Sequence, residues 1–298
     1  MDALVVLLGC LTLGALLGKL GRVPAGMVPA LTFWVVNVAL PATTLAVVPG
    51  LVVDGSVWFL VLPQWAGLGV AAAVVIPIGR WRRWPAPRIG ALVLLAGLAN
   101  TSFVGFPLIE ATRGHAALAP AAIADQAGAF LALALVGMAI AAHFAGGSVG
   151  PRDVVRKVAT FPPTWALLVG LLVGALGGWP PPVMTALERV GHTLSPLALF
   201  AVGLRLRLRP PPGALGPMLL ALLLRLAVVP ALALLLAHVA GVDGQVRVVG
   251  VLQAAMPPMI TVAILCEREG LEPELAHATL TLGILAAMLS VPAWSALL

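Results

Sequence analysis

The chain has 298 residues, 61% of them hydrophobic and 9% charged, with 17 Lys plus Arg against 11 Asp plus Glu. A soluble domain carries roughly 25% charge and keeps much of its surface polar, so this composition excludes a soluble enzyme, a disordered tail and a fibrous repeat. It points to a polytopic membrane protein, and the net charge of +6 comes without any basic helix or nucleic-acid signature.

Ten apolar stretches of about 20 residues, each with at most two acidic or basic side chains, predict ten membrane-spanning helices. They run at about 3–18, 27–48, 56–79, 89–111, 120–143, 161–178, 182–204, 213–238, 245–266 and 274–297. The joints are short and rich in Pro and Gly, so a single transmembrane domain over 1–298 is expected. The joints after odd-numbered spans hold thirteen Lys and Arg, among them Lys19, Arg22, Arg82, Arg152, Arg207 and Arg209. The other side holds three, Arg113, Arg189 and Arg247. That bias predicts a multi-pass protein of the cell (inner) membrane with both termini extracytoplasmic. Trp81, Trp84 and Trp165 would mark the inner interface, and Trp58, Trp179 and Trp294 the outer one.

Ten spans divide into two sets of five, 1–146 and 158–298, and an odd number per set inverts the second set. Asn37 stands four before Pro41 in span 2, and His192 four before Pro196 in span 7. Span 4 is interrupted by Asn100-Thr101-Ser102 with Pro107, and span 9 by Gln253 with Pro257 and Pro258. Matching interruptions in the two halves point to a transporter's binding site. A helix broken at mid-membrane presents unpaired N–H groups and about half a positive charge, which suits an anion. Asn100, Thr101, Ser102 and Gln253 would then line the site. The alternative is that these prolines only kink their helices.

Two ionisable residues fall at membrane depth. Arg225 lies roughly 18 Å along span 8 and reads either as a counter-charge for a substrate carboxylate or as a fixed partner of Asp125 or helix-end carbonyls. Asp125 in span 5 reads as a proton- or ion-coupling carboxylate or as a helix-packing hydrogen bond. Glu110, Glu188 and the five histidines are expected to be solvated or capping residues. There is no His-Glu-x-x-His, paired acidic motif or phosphate loop, and Cys10 and Cys266 lie far apart in apolar surroundings. No metal or cofactor is expected, and the missing motifs speak against an ATP-driven pump, a membrane protease and a prenyl-transfer enzyme.

The runs Phe33–Pro41, Ala99–Pro107 and Ser195–Gly203, with Ala254-Ala255-Met256-Pro257, resemble the auxin efflux carrier family over nearly the whole chain. That family includes bacterial malate and malonate permeases. The resemblance implies an all-α fold of two inverted five-helix repeats whose broken helices 4 and 9 cross near the membrane centre. It also implies elevator-type exchange of small organic carboxylates (malate, malonate or auxin-like acids) and a homodimer whose scaffold is helices 1, 2, 6 and 7. The related bile-acid symporters bind sodium with acidic and amide side chains in the crossover; here span 9 offers Gln253 and no carboxylate. Proton or sodium coupling, and a sensor or channel on the same helices, stand as alternatives.

Overall fold

Proline follows three of the five π-helical segments among the described residues; the other two, Ala124–Phe130 and Leu133–Gly137, have no proline soon after them. The computed structural model describes residues 2–21, 23–51, 54–147, 150–206 and 210–298. Arg22, Arg207 and Arg209, counted among the inner-side charges, lie outside the described residues. The helices are α1 (Asp2–Lys19), α2 (Met27–Gly50), α3 (Trp58–Trp81), α4 (Ala86–Gly97), α5 (Phe106–Arg113), α6 (His115–Phe144) and α7 (Pro151–Ala159). They continue with α8 (Pro162–Ala175), α9 (Pro181–Gly191), α10 (Leu194–Leu204), α11 (Leu215–Ala240), α12 (Gly244–Ala254), α13 (Ile260–Glu269) and α14 (Pro273–Leu297).

Among the described residues, α2, α3, α6, α11 and α14 are five helices long and apolar enough to cross a membrane. The other stretches expected as spans are shorter or split. Span 7 is divided into α9 and α10 by a turn at His192–Thr193, and spans 4 and 9 are interrupted outright. The short helix α7, with Arg152, Asp153 and Arg156, sits in a joint that the sequence reading left without structure.

A proline ring clashes with the carbonyl four residues earlier and leaves it without its usual N–H. Three π-helical segments end two residues before a proline: Val35–Ala39 before Pro41, Thr101–Gly105 before Pro107, and Leu224–Val228 before Pro230. The widened turn makes room for the ring. In lipid the freed carbonyl needs another donor. Leu226, four before Pro230, accepts from the Trp294 indole N–H at 2.9 Å. Leu45, four before Pro49, accepts from Trp179 at 2.8 Å. These two tryptophans, expected as interface markers, therefore have a specific task inside the fold.

Helices α1 and α10 pack with their backbones in contact, because a Cβ at Gly14 would strike the Phe200 carbonyl and one at Gly203 the Leu11 carbonyl. α8 and α9 pack on α2. A second group forms around α3, which packs on α4, α11, α12 and the middle of α6, while α13 packs on α14. α5 and the turn before it touch α1 and α10, and α6 touches α2, so the interrupted region lies between the two groups. Large apolar side chains such as Leu172, Leu235 and Leu289 stand exposed, as a surface facing acyl chains can allow.

Candidate functional site

The two interrupted helices meet at their breaks. α4 ends at Gly97, and Leu98–Asn100 run extended before the chain turns helical again at Thr101. α12 ends at Ala254, and the chain resumes as α13 at Ile260. The two extended pieces pair as an isolated antiparallel bridge between Ala99 and Pro258. Asn100 N–H donates to Pro257 O at 2.8 Å, and Met259 N–H to Leu98 O at 3.0 Å. This exchange satisfies backbone that lipid could not. Pro257 and Pro258 lie in the break itself. Pro107 lies in the first turn of α5, beyond the π segment, so the break precedes it by seven residues or more.

Four helix ends thus converge, and they separate by polarity. The two C-terminal ends carry partial negative charge. Arg225, fully buried in α11, donates from Nη1 to Gly97 O at 2.9 Å and Ala96 O at 3.5 Å, and from Nη2 to Ala254 O. One guanidinium therefore closes both C-terminal ends, since its planar fork reaches two acceptors at once. Among the described residues no carboxylate is paired with Arg225, and it lies outside the lining of the cavity described next. Of its two expected roles, this geometry matches the helix-end one.

The N-terminal ends border a cavity of about 220 Å³. Its wall is Asn100, Ser102 and Phe103 from the first break, Met259 and Thr261 from the second, and Asp125, Phe130 and Leu133 from α6. Val36 and Leu40 of α2 and Thr160 and Phe161 of the α7–α8 joint complete it. Phe130 and Phe161 stack at 3.7 Å between centroids, beside the joint that follows the helix bearing Arg152 and Arg156. Asn100 caps its own helix, accepting from Phe103 N–H at 3.1 Å through Oδ1, and its buried Nδ2 has no partner. Asp125 Oδ1 accepts from Thr101 Oγ1 and from Ser102 Oγ, each at 2.5 Å, and its buried Oδ2 has no partner.

Of the residues expected at the site, Asn100, Ser102 and Asp125 line the cavity. Thr101 is buried behind it and orients Asp125. Gln253 also lies behind, donating to Thr101 O at 3.4 Å and Ala121 O at 3.3 Å, with its amide flat against Gly105. A Cβ on Gly105 would come to 2.5 Å from Gln253 Oε1, so glycine is what allows that approach. Sequence reasoning missed Thr261, Thr160 and the Phe130–Phe161 stack. Thr261 was the polar residue beyond Pro257-Pro258; Thr160 fell in a joint, which carries no helical period, and Phe161 read only as the first apolar residue of span 6.

Comparison with known proteins agrees with this architecture. Residues 1–295 match the family described as membrane transport protein. An uncharacterized transporter of Methanothermobacter thermautotrophicus is 28% identical over 208 residues, covering 70% of this chain and 67% of that one. An uncharacterized transporter of Methanocaldococcus jannaschii is 23% identical over 211 residues, covering 70% and 68%. With the match running over nearly its whole length, the chain belongs to the membrane transport protein family, the auxin efflux carriers, and is a multi-pass membrane transporter.

Proposed function

We propose that this protein is a secondary carrier of small organic carboxylates, built as ten spans in two inverted repeats, that binds its substrate in the crossover cavity. The observation that carries the reading is the unpartnered Asn100 Nδ2 in a cavity bordered by two helix N-termini. Those ends offer N–H groups without intrahelical partners and partial positive charge, a fitting seat for a carboxylate without a dedicated cation. Ser102 and Thr261 add hydroxyls, and the aromatic pair and Val36, Leu40 and Leu133 take the apolar part of the substrate.

Asp125 gives the site its coupling. Two negative charges in one small cavity repel strongly, so a substrate anion is admitted together with a proton on Asp125. The free Oδ2 then becomes a donor toward the substrate, while Thr101 and Ser102 hold the other oxygen. The moving part is the group around α3, α4 and α11–α14 with the crossover, carried past α1, α2 and α8–α10 as scaffold and dimer face. The arginine-rich joints lie in the cytoplasm of an inner-membrane protein, and the Thr160–Phe161 wall sets the cavity on that side of the crossover. A dicarboxylate moved with one proton carries a net charge of −1, and an inside-negative potential of 100 mV drives it outward with about 2.3 kcal/mol, roughly a 40-fold gradient.

Purified protein in proteoliposomes should show saturable counterflow of labelled malate or malonate, dependent on pH and unaffected by sodium removal. Loss of exchange without sodium would replace the proton by sodium. Unsaturable flux without counterflow would make the protein a channel, and no flux with retained binding would make it a sensor.

A further inference from the structure

On the opposite side of the crossover from the arginine-bearing helix α7, three chemistry-bearing side chains converge that the carrier site does not use. Glu110 lies in the second turn of α5, His115 opens α6, and His192 lies in the turn between α9 and α10. One ligating atom of each lies within 4.8 Å of the other two. Glu110 Oε1 is 3.2 Å from His115 Nδ1, and Oε2 accepts from Ser195 Oγ at 3.0 Å. The imidazoles meet edge to face with centroids 5.7 Å apart. All three border a depression, also lined by Glu188 and Thr43, with about 10 Å³ of free space. That is room for about one water-sized occupant.

Imidazole nitrogens rule out magnesium and calcium as natural occupants, which take oxygen ligands. Two histidines and one carboxylate with a place left for water or a fourth side chain form a zinc-type donor set. Both histidines are exposed, so their rings can turn the short distance that tetrahedral coordination needs. Read as sequence, these were isolated solvated residues, because 77 positions separate His115 from His192 and no motif spacing joins them.

We propose that Glu110, His115 and His192 form a binding site for a divalent transition-metal ion of the zinc class, and that its occupancy locks the seam between the crossover and the α9–α10 face. Glu110 and His115 belong to the crossover side and His192 to the other, and the Glu110–Ser195 hydrogen bond already spans the same seam. An ion held by both sides opposes their relative movement. The lock, but not the binding, rests on the carrier reading above.

The test is calorimetric titration of ZnCl2 into the full chain in detergent after removal of metal with a chelator, at a pH where histidine is neutral. One ion should bind per chain with micromolar affinity, and His115→Ala and His192→Ala should each weaken it about tenfold or more. Both variants should melt with the wild type in the absence of metal; where alanine lowers the melting temperature, His115→Gln and His192→Asn replace it. No saturable binding, or equal binding by all variants, overturns the site. In proteoliposomes zinc should block carboxylate counterflow and His192→Ala should release the block. Zinc bound with exchange unimpaired overturns the lock. Absence of exchange even without zinc counts against the carrier reading, while the titration still decides the site.

Discussion

Replacing Arg225 with methionine tests what this buried cation does. The side chain faces two helix C-terminal ends, each worth about half a negative charge. At the 2.9 Å of the Gly97 contact and an effective dielectric of about 20, the attraction to both ends sums to roughly 5–6 kcal/mol. The same interaction, counted as orphaned carbonyls at Gly97 and Ala254, costs about 1–3 kcal/mol each. The weaker Ala96 contact at 3.5 Å adds little. Against this, removing an arginine from membrane depth returns about 2.5–3.5 kcal/mol. The net loss is about 2 kcal/mol, a fall of roughly 3 °C in melting temperature for a chain of this length. Arg225→Lys keeps the charge but cannot fork between two helices, and should fall between Arg225→Met and the wild type. The assay is thermal unfolding of the purified variants in detergent, with and without a saturating carboxylate. Should Arg225→Met melt like the wild type and lose only the carboxylate-induced shift, the residue is a substrate ligand and the helix-end account is refuted.

Three further outcomes follow from the same geometry. A carboxylate at 100 times its dissociation constant should stabilise the wild type by about 2.7 kcal/mol; Asn100→Ala should remove most of that shift, and a full shift would move the site elsewhere. Asp125→Asn should flatten the pH dependence of counterflow while leaving substrate-induced stabilisation measurable, whereas an unchanged pH profile would remove Asp125 from the coupling step. Trp294→Phe deprives the Leu226 carbonyl of its donor and should destabilise the protein by about 1–3 kcal/mol in the same unfolding assay with little effect on substrate binding, a result that unaltered melting would contradict.

What the sequence made legible follows from the solvent it was written for. A lipid environment demands long apolar stretches and forbids unsatisfied backbone, so α2, α3, α6, α11 and α14 could be read from hydropathy alone. The interruptions were legible for the same reason, since Asn100-Thr101-Ser102 and Pro257-Pro258 are expensive in lipid unless protein or a cavity receives them. Their detail was not. Pro107 marks the first break in sequence, yet the chain departs from helix at Leu98, because the π segment Thr101–Gly105 absorbs the ring clash locally. Partners were the least readable feature. Nothing in the run Leu222–Val228 says that Arg225 will reach Gly97 and Ala254 from two other helices, and nothing in Ala124–Ala127 pairs Asp125 with Thr101 and Ser102.

The two polar clusters at the crossover depend on each other through that division of partners. Were Arg225 free to face the cavity, it would neutralise Asp125, and neither the orphan Oδ2 nor a charge-sensitive site would remain. Held by Ala96, Gly97 and Ala254, it instead cancels the negative ends of the broken helices. The cavity is left with the positive ends and one carboxylate, whose charge, on the proposed carrier reading, decides whether an anion fits. The breaks thus expose amides for a guest only because a cation elsewhere covers the carbonyls that the same breaks expose. A variant that restored continuous helix through Leu98–Asn100 would remove the Ala96 and Gly97 acceptors and the helix end at Thr101 together, leaving Arg225 on Ala254 alone and the cavity with one helix N-terminus.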